Sequence, residues 1–333
     1  LMGVKEVPPD KLLSDKAYMF FSHTIKRQEH NKPLLRALIE KKVRMIDYEC
    51  LVDGEGRRVI GFGRYAGIVG AYNGLMGYGK KYGLFTLEPA HILDSKNKMF
   101  ENLRNTGLPN IKIIITGGGR VANGAEETMG VMNIRKVTPY EFLNYSFREP
   151  VYVQLHSHDY YAHKDGKPFS RHEFYDTPGQ FESHFGEFTQ VCDLLIHCAY
   201  WDPRAPKLFS TKEMKDPRFR ISVIADVTCD INGSIPSTVR TTTIEDKFYG
   251  YNPLTEEIMT PFLSGNITVM AIDNLPCELP RDASEGFGKH LIERVIPEVV
   301  NGDKAGLLQR ATICENGALN TAFDYLAEYA GVQ

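Results

Sequence analysis

Short apolar runs alternate with stretches of helical periodicity along this chain of 333 residues. Leu1-Met2-Gly3-Val4 and Tyr18-Met19-Phe20-Phe21 read as buried strands, and residues 43–48 as a third. A helix is predicted from Asn31 through Lys41-Lys42, with Pro33 in its first turn and Leu34, Leu35, Leu38 and Ile39 on its apolar face. Asp53-Gly54-Glu55-Gly56 reads as a turn and residues 57–62 as a further strand. Residues 66–83 carry glycine at close helical spacing. Each such glycine costs about 1 kcal/mol against alanine in a helix interior, which close approach of another backbone would offset. This segment is expected to be a long helix linking two domains.

A second pattern begins at residue 112. Lys112–Thr116 (KIIIT) reads as a buried strand, followed by Gly117-Gly118-Gly119-Arg120-Val121-Ala122-Asn123-Gly124-Ala125 and a helix through residues 126–132. Strand, glycine-rich turn and helix is the dinucleotide-binding arrangement, because glycine lets the backbone approach a pyrophosphate and the helix start favours its charge. Gly117, Gly119 and Gly124 are not a perfect GxGxxG, since the third glycine falls two positions late. The bland alternative is a tight turn that binds nothing. Strands at 193–198, 220–227 and 267–272 extend the sheet, each ending in polar or aromatic residues. Residues 284–300 read as an amphipathic helix with Phe287, Leu291, Ile292, Val295 and Ile296 inward. Residues 303–330 are expected to be a helical tail that packs back on residues 1–65.

The expected fold class is therefore α/β: two Rossmann-like domains with a cleft between them. A substrate domain comprises residues 1–66 plus 285–333, and a dinucleotide-binding domain residues 67–284. The first domain is discontinuous. Because residue 1 already reads as the interior of a strand, an amino-terminal segment is expected to precede it.

Composition narrows the function. A length of 333 residues and 42% hydrophobic content allow two sizeable cores. A net charge of -3 gives no electrostatic footprint for nucleic acid or an anionic membrane. Cys50, Cys192, Cys198, Cys229, Cys277 and Cys314 show no metal-ligand spacing and no disulfide framework. With no membrane-length apolar run and no signal peptide, a cytoplasmic protein is expected, acting on small molecules and possibly as a homo-oligomer. His156, His158 and His163 look at first like metal ligands, but no cysteine or carboxylate completes a site, so no metal is expected. The aromatic stretch 159–184 is expected to be a loop over the cofactor domain or an oligomer contact.

Two ionisable residues stand out. Lys5 and His23 each follow one of the first two apolar runs. Each is thus placed at the carboxyl end of a parallel strand, where open α/β sheets bind ligands. A desolvated lysine and a histidine can move protons near neutral pH. The bland reading is a surface lysine and an ordinary histidine. Asp273 likewise has a bland reading, as a turn cap before Pro276.

GVKEVP, FFSHTIKRQEHN, MIDYE, GRRVIGFGRYAGIVGA, TGGGRVANGA, ADVTCDINGSI and AIDNLPCELPRDASEGFG occur in this order. Together they resemble the lysine–2-oxoglutarate reductase half of lysine-degrading enzymes and, equally, the stand-alone saccharopine dehydrogenase that forms lysine. Both lie in the alanine dehydrogenase and transhydrogenase superfamily. The similarity runs from Leu1 to about residue 300. It implies an oxidoreductase that interconverts saccharopine with L-lysine and 2-oxoglutarate, using NAD or NADP. Oxidation of the secondary amine gives an imine, water adds, and the carbinolamine collapses. By the same resemblance Lys5 is the base for the amine and His23 the acid–base group for imine hydration, with Glu6 and Glu49 as tuning neighbours. Gln28, Arg58, Phe62, Thr228, Cys229 and Asp230 match substrate-binding positions. Arg57, Gly117, Gly119, Arg120, Tyr200, Val227, Ile272, Asp273, Asn274 and Leu275 match positions around the dinucleotide, and Lys26 with Asp273 a pair near the nicotinamide.

Two departures from the family bear on function. Nothing matches the family's first strand and the basic loop after it. Beyond the cofactor helix, Arg135 and Lys136 lie near the point where an NAD site places Asp or Glu. They could receive the 2′-phosphate of NADP, or be a solvated pair at a strand edge, and Glu141 could still reach the ribose. The competing readings are another amino-acid dehydrogenase of the alanine dehydrogenase type and a nucleotide-binding regulatory protein without catalysis.

Overall fold

The computed structural model describes residues 1–331. It divides into two compact units: Leu1–Gly61 together with the chain from Ser284 onward, and Phe62–Ala283. Residues 332 and 333 of the expected first domain lie outside the described residues. Among the described residues no helix is long and apolar enough to cross a membrane.

In the first unit β1 (Met2–Lys5), β2 (Ala17–Phe21) and β3 (Arg44–Asp47) run parallel, with Lys5 level with Phe21 and Phe20 level with Asp47. The helix Lys32–Glu40 lays Leu34, Leu35, Leu38 and Ile39 into the core against Phe20 and Met45. β2 is buried along most of its length, but β1 is not: Leu1, Met2, Val4 and Lys5 are exposed. Among the described residues β1 pairs with β2 on one side, which leaves its other side open. No strand forms over 57–62. A single bridge joins Val52 to Arg58 around the turn, whose Asp53 Oδ1 accepts the N–H groups of Glu55 and Arg57 at 3.0 Å.

The second unit begins on the helix Gly63–Tyr82, which is buried along most of its length. Its strands are β4 (Lys112–Thr116), β5 (Arg135–Lys136), β6 (Val151–Leu155), β7 (Tyr161–His163), β8 (Phe181–Ser183), β9 (Leu194–His197), β10 (Val223–Asp226), β11 (Tyr249–Asn252), β12 (Glu257–Met259) and β13 (Ile267–Met270). All but β7 and β8 join one sheet in the order β12-β11-β13-β10-β9-β4-β6-β5. From β13 to β5 it is parallel, and β11 with β12 adds an antiparallel ribbon at one edge. Alternate residues feed two cores. Ile113, Ile115, Ile196 and Ala225 lie in the core that holds the long helix, while Ile114, Leu195 and Ile224 lie in the other.

The glycines of the long helix permit close crossings. A Cβ on Gly67 would lie 1.8 Å from the Val121 carbonyl oxygen, and one on Gly124 would lie 2.0 Å from that of Arg64. Only hydrogen fits at either position, so the helices Gly63–Tyr82 and Arg120–Val131 meet backbone to backbone. The helix belongs to the second unit rather than spanning two. Residues 159–184 are not a bare loop: β7 pairs with β8, and Tyr160, Tyr161, Phe174 and Phe181 are buried in the second core. Aromatic side chains carry enough apolar surface to pull such a segment onto the sheet.

The chain returns to the first unit through a helix broken by a wide turn over Leu291–Val295. Pro297 lacks the N–H that a regular ladder requires. Phe287 and Val295 are buried, but Ile292 is 67% exposed, contrary to the amphipathic reading, because the wide turn shifts the helical phase. The tail is not all helical either. β14 (Thr312–Glu315) pairs antiparallel with β3 and turns into β15 (Ala318–Leu319). Between them Asn316 and Gly317 take φ of 52° and 85°, the signature of a tight two-residue hairpin.

Candidate functional site

In the first unit the carboxyl ends of β1, β2 and β3 share one rim, and the charged residues collect there. β2 runs into Ser22-His23 and β3 into Tyr48-Glu49. Asp47, fully buried, ties the two together: it accepts the Ser22 N–H at 3.1 Å, the Glu49 N–H at 2.7 Å and the Ser22 hydroxyl. Burial pushes its pKa up, against the pull of those hydrogen bonds. The Asp47 contacts place the Glu49 side chain beside His23, Lys26 and Arg58. Glu49 Oε2 meets His23 Nδ1 at 3.1 Å, and Oε1 meets Arg58 at 3.1 Å and Lys26 Nζ at 3.6 Å. The carboxylate is 5% exposed. Burial would raise its pKa, but the His23 hydrogen bond and the Lys26 and Arg58 charges outweigh burial and hold it at about 2.

His23 has a left-handed backbone, φ 55°, and its ring stacks on Phe21 at 6.3 Å. With Nδ1 on a carboxylate, the imidazole carries its proton there or on both nitrogens, and Nε2 is left to exchange a proton with a substrate. Lys5 ends β1 on the same rim, exposed, with Glu6 exposed after it.

The ionised Glu49 has a pH signature. Its pKa lies below the ordinary 4.5, so its contribution to stability is complete above that value and is lost as the pH falls toward about 2. Urea midpoints measured from pH 4.5 to about 2 should therefore fall more steeply for the native chain than for Glu49→Gln. Equal slopes would contradict the paired carboxylate.

In the second unit the rim is the turn after β4. Gly117 takes φ 96°, a conformation open to glycine, and donates its N–H to the Leu155 carbonyl at 2.7 Å. No atom lies within 4 Å of where a Cβ on Gly119 would stand, so the space before the helix Arg120–Val131 is open. The N–H groups of a first helical turn facing such a space suit a pyrophosphate. Gly124 serves the helix crossing instead, which accounts for the irregular glycine spacing. The residues present thus fit a dinucleotide.

Other expected residues line the same rim. Val227 follows β10, and Thr228 donates its N–H and hydroxyl to Asp226 at 3.1 and 2.7 Å. Cys229 lies 3.7 Å from Asp273, and burial with the nearby Asp273, Asp226 and Asp230 carboxylates pushes its thiol up to about 12. Asp230, Asp273 and Asn274 are exposed, while Ile272 and Leu275 are buried. Tyr200 is 84% exposed. Arg57 points elsewhere: it pairs with Asp53 at 3.0 Å and Glu55 at 2.7 Å within its own turn. Gln28 accepts from Asn31 at 3.4 Å, and Phe62 opens the second unit, half-buried. Glu141 is taken by the cap of its own helix, where Thr138 donates N–H and hydroxyl to it at 2.8 Å.

Sequence reasoning missed three buried groups. Asp47 lies inside MIDYE, and its alternation with Glu49 was the available signal. Asp226 accepts from Thr228, Cys229 and Thr238. His197 sits between Thr116 and Ser234, 2.8 Å from each hydroxyl, with its pKa pushed down by burial. Among the described residues no group of three or more His, Cys, Asp or Glu could hold a metal ion.

No protein-family model matches the chain. Its homologues include alpha-aminoadipic semialdehyde synthase of Arabidopsis thaliana, 28% identical over 98% of this chain and 34% of that protein. The mitochondrial alpha-aminoadipic semialdehyde synthase of Mus musculus is 29% identical over 98% of this chain and 40% of its own length. The chain thus spans between a third and two fifths of these relatives. Saccharopine dehydrogenase [NAD(+), L-lysine-forming] of Candida glabrata is 28% identical over 88% of this chain and 72% of that protein. Among solved structures an L-alanine dehydrogenase matches with a TM-score of 0.62 at 18% identity, covering 98% of this chain and 80% of that one. That likeness shows the fold: α/β, two-domain and Rossmann-like.

Proposed function

We propose that this chain is an NAD(P)-dependent oxidoreductase interconverting saccharopine with L-lysine and 2-oxoglutarate. The observation that carries the reading is the Glu49 carboxylate, buried on the rim of the first unit and holding His23, Lys26 and Arg58. The name of one relative, a lysine-forming saccharopine dehydrogenase, supplies the substrate. The substrate bears several carboxylates and a secondary amine, which calls for cations beside a group that titrates near neutrality.

In this reading Lys5 takes the proton of the secondary amine during oxidation. A nicotinamide dinucleotide, when bound, exchanges the hydride. His23 removes a proton from the water that adds to the imine and returns one to the nitrogen as the carbinolamine collapses. Glu49 holds the imidazole in the tautomer whose Nε2 exchanges that proton, Lys26 tunes that pair through Glu49, and Arg58 meets a substrate carboxylate. The turn Gly117–Gly119 and the helix after it hold the pyrophosphate. Tyr200, Val227 and residues 272–275 line the rest of the dinucleotide site, and Thr228, Cys229 and Asp230 the substrate.

The test is a spectrophotometric assay offering L-lysine and 2-oxoglutarate with NADH or NADPH. Oxidation of the reduced dinucleotide that depends on both substrates is the expected result. Turnover of pyruvate and ammonia, with none of lysine, would replace this reading with another amino-acid dehydrogenase.

A further inference from the structure

Two buried polar groups of the second unit have no part in the reaction described above, and both end neighbouring strands. Thr116 ends β4, His197 ends β9 and Asp226 ends β10. The strand register sets them level, Thr116 beside His197 and His197 beside Asp226. All three are buried. Beyond Asp226 the chain runs through residues 227–238, the loop that carries Thr228, Cys229 and Asp230. Two residues of this loop, Cys229 and Asn232, take φ of 50° and 56°. A left-handed backbone at residues other than glycine persists only where its surroundings fix it.

The strand ends supply that fixing. A buried carboxylate needs donors for its lone pairs, and Asp226 finds them in the loop. Oδ1 accepts the Thr228 N–H at 3.1 Å, the Thr228 hydroxyl at 2.7 Å and the Cys229 N–H at 3.3 Å, and Oδ2 accepts the Thr238 hydroxyl at 2.6 Å. One side chain thus ties the first residues of the loop to its last. His197 holds the middle. Its Nε2 lies 2.8 Å from the Ser234 hydroxyl, and its Nδ1 lies 2.8 Å from the Thr116 hydroxyl, which also accepts the Cys198 N–H at 3.1 Å. Burial pushes the pKa of the ring down. In a neutral ring one nitrogen donates and the other accepts, so the hydrogen bonds run in one direction from strand to loop.

We propose that Asp226 and His197 are positioning residues, which hold the loop 227–238 in the shape that presents Thr228, Cys229 and Asp230 to saccharopine. The inference rests on the substrate reading proposed above and deepens it. Asp226 acts on the loop directly. His197 acts in series, from Thr116 through the ring to Ser234, so cutting either hydrogen bond removes the whole tie.

The test separates KM from kcat, with saccharopine varied at saturating dinucleotide. The loop residues meet the substrate in its ground and transition states alike, so loosening them raises KM and leaves kcat nearly as it was. Ser234→Ala and Thr116→Val should each raise KM about tenfold, the worth of one buried hydrogen bond. Together they should raise it no further than either alone, because they cut one series. Thr116→Ser keeps the hydroxyl and should keep the native KM. Asp226→Ala should raise KM by more than tenfold. Asp226→Asn should recover most of that loss, since its amide oxygen still accepts both N–H groups. Hydrogen exchange of the whole chain reads the loop itself: amides of 227–238 should exchange faster in Ser234→Ala and Asp226→Ala, with the rest of the second unit unchanged. A fall in kcat with KM unchanged, losses that multiply when Thr116→Val and Ser234→Ala are combined, or native protection of the loop in these variants overturns the inference and leaves the saccharopine reading standing. A native chain that turns over no saccharopine overturns both.

Discussion

His23→Gln should lower saccharopine turnover by about 10²- to 10⁴-fold, the usual worth of a positioned acid–base group. Glutamine can still meet Glu49, but it has no proton to exchange near neutrality. His23 also has φ 55°, a backbone that asparagine tolerates well. His23→Asn therefore separates lost chemistry from backbone strain, and both variants should lose turnover alike. Dinucleotide affinity should be kept, because the glycine turn lies in the other unit. Lys5→Met should show the same division, with its loss confined to the step that deprotonates the amine. Turnover unchanged in either variant would remove the role assigned to that residue.

The largest stability effect is expected in the second unit, away from the rim. Glu278 is fully buried, 2.6 Å from Lys247 Nζ, 2.8 Å from Asn73 Nδ2 and 3.6 Å from His91. Lys247 is 6% exposed, and burial pushes its pKa down. This cluster pins the turn after residue 272 to the long glycine-rich helix. Lys247→Met should cost about 3–5 kcal/mol, because it leaves a buried carboxylate short of its cation. In a unit of this size that is on the order of 10 °C in Tm. Lys247→Met combined with Glu278→Leu should recover much of the loss, since a well-packed apolar pair can replace a buried ion pair. A loss below about 1 kcal/mol for the single variant would place the pair among exposed salt bridges of little worth. Urea midpoints of the two variants decide it.

The parts of the fold that could be read from the sequence are those where one local pattern sufficed. KIIIT with the glycine turn gave β4 and the helix after it, and the four apolar positions of 34–39 gave a helix face that is buried as expected. What could not be read depended on distant partners. β14 looked helical because its apolar run is short, and it becomes a strand by pairing with β3. The Asn316-Gly317 turn was the local signal for it. The insertion of β6 beside β4 has no local signature, since it is a choice among sheet neighbours. Burial of β1 was overestimated because an apolar run does not say which strands will lie beside it. At the site, His23, Lys26, Glu49 and Arg58 were legible through family resemblance, and the structure brings all four together. Asp47, which aims the carboxylate, was not, because a buried acid between two chemical residues looks like any strand-end polar residue until its hydrogen bonds are known.

In the proposed reaction an imidazole held by a buried carboxylate serves the condensation of lysine with 2-oxoglutarate. It is tested most directly by identifying the product by mass after the chain is incubated with L-lysine, 2-oxoglutarate and a reduced nicotinamide dinucleotide. The account predicts saccharopine, formed by the native chain and reduced to a trace in His23→Gln. Dinucleotide binding without saccharopine, or saccharopine formed equally by both proteins, would contradict it.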